Sequence, residues 1–380
     1  MLKLNWSEAA AWRAERNYLV TRAPAKAMLD VVARLCGLHA QIMSSAELTL
    51  WARVEGLKFD RVQQALWKQR TLVKTWAMRG TLHLLPASEL PLWHAALSGS
   101  RRYLRESAWQ KNFGITLEEL DRVTEAVAVA LHDRLMTREE LAREVGRITG
   151  SEDLSTKLAQ SSWGTILKPA AFSGHLCFGP GLGQRVRFTQ PRTWVIRPGN
   201  PMDREAAEAE VARRFLTAYG PASYHDLARW WNGGGVATAR KWIAALGSEV
   251  TPVELDGKQA WMLAVDSRRI PERREKERQR SVRLLPAFDQ YVIAASFHAA
   301  QLLPGDLRGR VYRPQGWISP VLLVNGRMLG TWRHQIRSSR VEVTLEPFVK
   351  LPRWVLRAAG EEAERLAEFM GCTLTLSVTD

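Results

Sequence analysis

The sequence contains few cysteines, and no two of them lie close together. Cys36, Cys177 and Cys372 are the three in 380 residues, which argues against a disulfide scaffold and against a cysteine-rich zinc site. Long apolar runs are also missing: none approaches the roughly 20 residues that a membrane helix needs, and the first residues lack the apolar core of a signal peptide. We therefore expect a protein of a reducing cytoplasm with no membrane partner.

Several motifs of catalytic and cofactor sites are absent as well. The chain has no His-Glu-x-x-His pair, no cluster of Cys and His at metal-ligand spacing and no Gly-x-Ser-x-Gly elbow, which argues against a zinc hydrolase and an α/β-hydrolase. The glycine-rich stretch at 179–183 is followed by no Lys-Ser/Thr pair, so it is a turn rather than a phosphate loop. We expect neither a metal nor a cofactor.

What the chain has in excess is positive charge. It carries 54 Lys and Arg against 39 Asp and Glu, a formal net charge of +15, together with 46% hydrophobic residues. The hydrophobic content is sufficient for a packed core. The charge favours a polyanionic partner, with nucleic acid ahead of an anionic membrane surface, and a basic enzyme with no such partner is the alternative.

Three parts of the chain show an order of elements typical of winged helices. The first has predicted helices at 7–16 (capped by Ser7), 25–38 and 59–68, a short run at 72–78 and a strand at 79–86. The second has helices at 137–149 and 155–171 and a hairpin of 175–179 with 184–189. The third has helices at 224–232 and 236–246 and a hairpin of 249–255 with 259–263. Helix pairs with hairpins also occur in α+β proteins of other functions.

The last third of the chain begins with a basic run at 268–283 and then becomes rich in β pattern. The basic run is either a solvated helix or linker, or a segment that follows a phosphate backbone. Predicted strands follow at 284–285, 292–294, 311–312, 317–324, 328–332 and 341–345, then a helix at 352–370 and a strand at 373–378. The Asn325-Gly326 pair predicts a type I′ hairpin turn. This part is expected to form a small mixed sheet or a barrel-like domain.

These patterns predict an α+β fold of tandem winged-helix domains with a C-terminal β-rich, barrel-like domain. The expected boundaries are 1–130 for an N-terminal helical and winged-helix domain, 131–200 for a second winged helix, 201–267 for a third, and 268–380 for the basic linker and the β-domain.

Four segments in this order resemble the AlkZ/YcaQ family of bacterial DNA glycosylases. They are Leu-His-Ala-Gln at 38–41, Arg-Gly-Thr-Leu-His-Leu at 79–84, Leu-Leu-Pro-Ala-Phe-Asp-Gln-Tyr at 284–291, and Ile-Ser-Pro-Val-Leu-Leu-Val-Asn-Gly-Arg at 318–327 with Gly-Thr-Trp-Arg at 330–333. Each string is short, but the four in order are specific, and the resemblance covers almost the whole chain.

The resemblance implies a basic channel around duplex DNA and a monofunctional glycosylase without lyase activity. Members of the family remove bulky or cationic alkylated bases, including N7-alkylguanine; some unhook interstrand crosslinks, and some protect antibiotic producers from their own genotoxins. It therefore implies double-stranded DNA with alkylated bases as the partner. We expect a monomer in the cytoplasm, associated with the nucleoid.

The family's catalytic motif is Gln-Φ-Gln or Gln-Φ-Asp, where Φ is apolar, and it falls here on His39, Ala40 and Gln41. The histidine departs from the pattern, which marks either a branch that uses His-Φ-Gln or an altered activity; the intact surrounding motifs favour the branch. The glutamine carbonyl can orient a water, and an imidazole of ordinary pKa can take its proton. The alternative is that His39 caps or edges the preceding helix.

Candidate DNA contacts are Arg79 and His83 beside this motif, and Arg185 and Arg187 on the glycine-turned hairpin. Arg185 and Arg187 are two residues apart and so share one face of a strand, which suits insertion along a minor groove. Arg79 and His83 can serve packing within their motif instead, and the hairpin pair can be an ordinary exposed strand face.

Two other functions fit parts of the sequence. A winged-helix transcription regulator without catalysis explains the charge and the repeated units, but not the C-terminal motifs or the match at His39 and Gln41. An architectural or repair-accessory DNA binder, in which His39 marks a lost activity, is the third possibility.

Overall fold

The computed structural model of the protein describes residues 1–98, 106–232, 234–274 and 280–379. The chain divides into two compact units. Unit 1 contains Met1–Arg61, Ala212–Leu227 and Ile243–Asp380, and unit 2 contains Val62–Val211 and Ala228–Trp242.

Unit 1 begins with a short strand and a well-capped helix. The Lys3–Leu4 strand pairs in parallel with Val250–Leu255, and the Trp6–Arg16 helix follows it. Asn5, rather than the expected Ser7, caps this helix in a reciprocal capping box with Glu8, because the helix starts one residue before Ser7. Leu4, Trp12 and apolar residues of the 250–263 hairpin form a shared core cluster.

The helix expected at 25–38 is shorter than the sequence suggested. A 3-10 turn at Ala25–Ala27 leads into a helix over Met28–Arg34. The chain then takes positive φ angles at Cys36 (60°) and Gly37 (87°), which end the helix. Residues Leu38–His39 are consequently an extended strand, followed by the Met43–Trp51 helix.

The C-terminal part of unit 1 is a five-stranded mixed sheet. Its strands, in spatial and chain order, are Val282–Leu285, Val321–Val324, Arg327–Arg337, Arg340–Pro347 and Thr373–Val378. The first four pair antiparallel and the last pairs in parallel. The first and last strands are the two edges, so this is an open sheet rather than a closed barrel. The expected turn at Asn325-Gly326 is present, with φ angles of 48° and 80°.

Five short helical segments lie between the first and second strands of this sheet, and one long helix lies between the fourth and fifth strands and packs on the sheet. They are Gln290–Ala295, Ser296–His298, Ala299–Leu302, Arg308–Val311, Pro314–Gly316 and the long Arg353–Met370. The expected strands at 292–294 and 311–312 are therefore wrong: the first lies inside a helix that Asp289 caps, and the second lies at the end of another. Apolar runs of two or three residues do not distinguish a strand from a buried helix.

Unit 2 contains a complete winged helix, which confirms the expected architecture. Its elements are Leu117–Ala130, Met136–Thr137, Arg138–Thr149, Glu152–Gln160, Cys177–Leu182 and Arg185–Thr189. The predicted capping box joins Thr137 and Glu140. The expected 155–171 helix is broken into Glu152–Gln160, Ser162–Leu167 and Lys168–Phe172, because Gly164 has φ +63° and packs directly against Trp76.

The rest of unit 2 is built mainly of short elements. The Leu72–Trp76 and Leu82–Pro86 strands pair antiparallel. Helical segments are Arg61–Gln63, Gln64–Lys68, Met78–Gly80, Ala87–Glu89, Leu90–Ser98, Glu106–Phe113 and Pro191–Trp194.

The winged-helix order appears again further along the chain. It runs through Arg204–Tyr219, Tyr224–Trp231, Gly235–Ala244, Gly247–Glu249 and the hairpin of Val250–Leu255 with Lys258–Leu263. Ala222 forms an isolated antiparallel bridge with Trp261. The hairpin turns at Asp256-Gly257, where both residues have positive φ, as a type I′ turn requires.

The basic run at 268–283 falls in three places. Its start belongs to the Ala264–Arg274 helix, residues 275–279 lie outside the described part, and Arg283 belongs to the first sheet strand. The Arg283 guanidinium donates to the carbonyl of Val20 at 2.8 Å and lies 3.6 Å from Glu362, so this arginine serves packing. In the described ranges we find no helix with both the length and the apolar character of a membrane span.

Candidate active site

His39 and Gln41 lie between two helices of unit 1, His39 in the Leu38–His39 strand and Gln41 in the bend that follows it. His39 is 7% exposed and Ala40 is fully buried, whereas Gln41 is exposed. The motif thus combines a sheltered imidazole with an amide that reaches solvent.

The ring of Phe288 stacks on the imidazole of His39. The two ring centroids are 4.9 Å apart and the planes differ by 14°. Phe288 adopts a φ of 56°, a left-handed conformation that is rare for a bulky residue and is retained only when the surroundings enforce it. On its other side Phe288 meets Trp317 edge to face, at 5.1 Å and 76°.

The residue after Phe288 forms a buried ion pair. Both carboxylate oxygens of Asp289 accept hydrogen bonds from the Arg53 guanidinium, at 2.7 and 2.8 Å, and both side chains are 0% exposed. Asp289 also accepts from the backbone N–H of Tyr291 at 2.9 Å and so caps the Gln290–Ala295 helix.

The next two side chains hold neighbouring loops. Gln290 donates from Nε2 to the carbonyl of Gly37 at 2.8 Å, directly before the Leu38–His39 strand. Tyr291 donates from its hydroxyl to the carbonyl of Gly326 at 2.8 Å, and burial raises the pKa of this phenol. We call residues 288–291 the anchor segment, since each side chain fixes a different piece of unit 1 around the His39 loop.

Arg79 and His83 lie together in unit 2. His83 is 0% exposed. Its Nδ1 is 3.0 Å from the carbonyl of Thr81 and its Nε2 is 3.2 Å from the guanidinium of Arg79. A carbonyl only accepts and a guanidinium only donates, so this geometry fixes a neutral ring protonated at Nδ1. Arg79 also donates to the carbonyl of Trp230 at 2.9 Å. This pair fits the packing role that the sequence left open.

Arg185 and Arg187 lie on the second strand of the winged-helix hairpin in unit 2. The strands turn at Gly183, where φ is 60°. Arg185 is exposed, and half-buried Arg187 donates from Nε to the carbonyl of Pro180 at 2.8 Å. That bond joins the two strands of the hairpin and uses Nε of Arg187, so it restricts the guanidinium without using its two terminal nitrogens. Leu182 and Val186 are exposed on the same hairpin, which therefore carries both charge and apolar surface at its tip.

The predicted site residues thus form three groups: His39 with Gln41 in unit 1, Arg79 with His83, and Arg185 with Arg187, the last two in unit 2. The sequence reasoning missed Arg53, Phe288, Gln290 and Trp317 as neighbours of the His39 loop. Phe288 and Gln290 were inside a recognised motif, and Trp317 directly precedes another. Arg53 carried no signal, because its partner is 236 positions away.

The arrangement around His39 can position a water for attack on a sugar carbon. Imidazole nitrogen and amide oxygen can each accept a hydrogen bond from that water. Within residues 1–98, 106–232, 234–274 and 280–379, His, Cys, Asp and Glu side chains do not gather in threes in a way that could hold a metal ion.

Comparisons with known proteins show which family the chain resembles. The family model described as "DNA glycosylase AlkZ-like" matches residues 32–369. A curated protein of Streptomyces sahachiroi, named interstrand DNA cross-link repair glycosylase, is 34% identical over 373 residues, covering 97% of this chain and 98% of that protein. The structure of Streptomyces sahachiroi DNA glycosylase AlkZ matches with a TM-score of 0.88 and 32% identity over the full length of both chains. The chain belongs to the AlkZ-like family of DNA glycosylases.

Proposed function

We propose that this DNA glycosylase hydrolyses the N-glycosidic bond of bulky or cationic alkylated purines, of the N7-alkylguanine type, in double-stranded DNA. The observation that carries the proposal is the His39–Gln41 motif, whose loop the anchor segment contacts at His39 and at Gly37.

Alkylation at N7 explains why such a site needs no strong acid. The alkylated base already carries a positive charge, so it leaves as a neutral molecule without being protonated. The remaining demands are to stabilise an oxocarbenium-like sugar and to place a water on its open face. In our proposal Gln41 orients this water through its amide oxygen, and His39 accepts the proton as general base.

Interstrand crosslinks extend the same chemistry. A crosslink between two N7-alkylated guanines presents the same cationic leaving group on each strand, so hydrolysis of one glycosidic bond releases the strands from one another. We propose crosslink unhooking on this basis, supported by the name of the Streptomyces sahachiroi relative and its 34% identity across almost the whole chain. Protection of a producing cell from its own alkylating genotoxin would be the corresponding biological role.

DNA contact is assigned to the winged-helix hairpin of unit 2. Arg185 is exposed and Arg187 is fixed by its bond to Pro180, an arrangement that suits phosphate contacts along a groove. The formal charge of +15 supports a polyanionic partner.

The proposal is tested by base release from duplex DNA that carries a single N7-methylguanine. Single-turnover rates are measured for wild type, His39→Ala and Gln41→Ala, with alkali treatment revealing the abasic site. Loss of a general base lowers the rate by about 10²- to 10⁴-fold, and we expect His39→Ala to fall in this range and Gln41→Ala to be slowed as well. His132→Ala, at an exposed histidine of unit 2, is the control and should react like wild type. Wild-type rates in both motif variants would refute the assignment.

A further inference from the structure

Trp317 is the one exposed indole among the tryptophans whose side chains the structure describes, at 42% of its full surface. The loop that carries it is a turn closed by a backbone hydrogen bond. The Arg313 N–H donates to the carbonyl of Trp317 at 2.8 Å, and Gln315 and Gly316 turn the chain with φ angles of 60° and 76°. Trp317 is therefore held in solvent by its backbone.

A chain of ring contacts links this indole to the proposed catalytic residue. Trp317 meets Phe288 at 5.1 Å, and Phe288 stacks on His39 at 4.9 Å. The base of the Trp317 loop is tied to the Gln290–Ala295 helix, which begins within the anchor segment, since the Tyr312 hydroxyl donates to the carbonyl of Val292 at 2.8 Å. All of these residues belong to unit 1, so the distance from the indole to the imidazole is set within one compact body.

Single exposed apolar side chains are common on protein surfaces, so the exposure of Trp317 alone does not indicate a binding role. Its position beside Phe288, which stacks on His39, does indicate one. A nucleotide whose sugar lies at His39 and Gln41 places its base, or the adduct on that base, beside the aromatic surface formed by Phe288 and Trp317. Tryptophan is the side chain whose ring face attracts cations most strongly.

We propose that Trp317 is a recognition platform for the positively charged alkylated base, so that it selects cationic lesions by their charge. This inference rests on the proposed function, because it takes His39 and Gln41 as the place where the sugar is attacked.

The physical consequence is a separation of recognition from chemistry. The positive charge is on the base in the bound substrate, moves to the sugar in the transition state and is absent from the released base. A cation–π contact to the base is thus strongest in the ground state. It tightens binding of the cationic lesion and does not lower the barrier that the bound complex must cross. It also weakens when the neutral product has formed, which favours product release.

The test measures charge recognition independently of catalysis. Three duplexes are compared: one with N7-methylguanine on a 2′-fluoroarabinose sugar, which keeps the charge and resists hydrolysis; one with 7-methyl-7-deazaguanine, its neutral analogue; and one unmodified. Dissociation constants are measured at fixed ionic strength for wild type, Trp317→Leu, Trp317→Phe and the control Phe59→Leu, an exposed phenylalanine of unit 1.

We expect wild type to prefer the cationic duplex over the neutral analogue, and Trp317→Leu to lose about two- to fivefold of that preference, as an exposed cation–π contact implies. Trp317→Phe should lose less and Phe59→Leu nothing. With cleavable N7-methylguanine at saturating enzyme, the single-turnover rate of Trp317→Leu should not fall below that of wild type, because the lost contact is weaker in the transition state than in the bound substrate.

Each alternative result is decisive. An unchanged charge preference in Trp317→Leu overturns the platform, and so does an equal loss for the cationic and neutral duplexes, which would indicate a general apolar contact. If the charge preference depends on Trp317 while wild type fails to release the base, the platform stands and the proposed reaction fails. A wild-type preference with normal release but no dependence on Trp317 leaves the reaction intact and refutes the platform alone.

Discussion

The buried pair of Arg53 and Asp289 gives the sharpest test of how the His39 loop is held. Asp289→Asn keeps the size of the side chain and its ability to cap the Gln290–Ala295 helix, because asparagine caps as well as aspartate. What it removes is the negative charge that balances Arg53. Since both side chains are 0% exposed, water does not replace the lost carboxylate.

The magnitude follows from that burial. Removing one partner of a buried, hydrogen-bonded ion pair costs about 3–5 kcal/mol, because the other charge is left uncompensated. A domain of ordinary stability has about 5–15 kcal/mol in total, so we expect a large fall in the urea midpoint of Asp289→Asn. Arg53→Met combined with Asp289→Asn removes both charges of this pair, and this double variant should be more stable than Asp289→Asn alone.

The matched control is a second two-bond ion pair of the same unit at the surface. Arg213 donates to both oxygens of Glu249 at 2.7 and 2.8 Å, but the side chains are 36% and 50% exposed. Glu249→Gln should therefore cost less than about 1 kcal/mol. Two results would contradict this reasoning. Either Asp289→Asn lowers the free energy of unfolding no more than Glu249→Gln does, or the double variant is less stable than Asp289→Asn. In either case the buried charges of Arg53 and Asp289 do not depend on one another as described.

Two further predictions concern DNA binding and pH. Arg187→Glu should weaken binding to duplex DNA and reduce the slope of log affinity against log salt by about one unit, since each phosphate contact contributes about 0.9; an unchanged slope in a salt titration would remove the hairpin from the interface. Burial, with the charge of nearby His175 in addition, lowers the pKa of His94 to about 4, whereas the unfolded chain binds this proton near pH 6.5. The unfolding free energy should accordingly fall as the pH drops from 6.5 to 4, by up to about 3 kcal/mol, and urea denaturation at pH 7 and 4.5 should show a smaller loss in His94→Gln; identical losses in both proteins would count against it.

Local signals in the sequence predicted those parts of the fold that local interactions decide. The capping box of Thr137 with Glu140 involves residues three apart, and the Asn325-Gly326 turn needs two adjacent residues that tolerate positive φ. Prediction from local signals failed where the structure depends on a contact between residues far apart in the sequence. The 155–171 helix breaks where Gly164 meets Trp76, and the periodicity of the segment contains no trace of that contact.

The surroundings of His39 depend even more on contacts between residues that are distant in the sequence. The motif at His39–Gln41 was found by resemblance, and its extended conformation depends on the positive φ angles at Cys36 and Gly37. The bond of Gln290 to Gly37 spans 253 positions. A single sequence offers no means of pairing such residues, although the string at 284–291 was part of the family resemblance.

In our proposal, one set of residues holds the DNA and another set selects the lesion. Phosphate contacts do not distinguish damaged from undamaged DNA, so the +15 of the chain contributes to how tightly any duplex is bound. The charges of Arg53 and Asp289 beside the His39 loop cancel one another and are buried, and Phe288 and Trp317 present ring surfaces there. Such surroundings do not repel a cationic base as a lysine or arginine at this place would. Selection in our proposal therefore depends on short-range aromatic contacts, and the positive charge of the lesion, which makes its glycosidic bond weak, is also what allows it to be recognised.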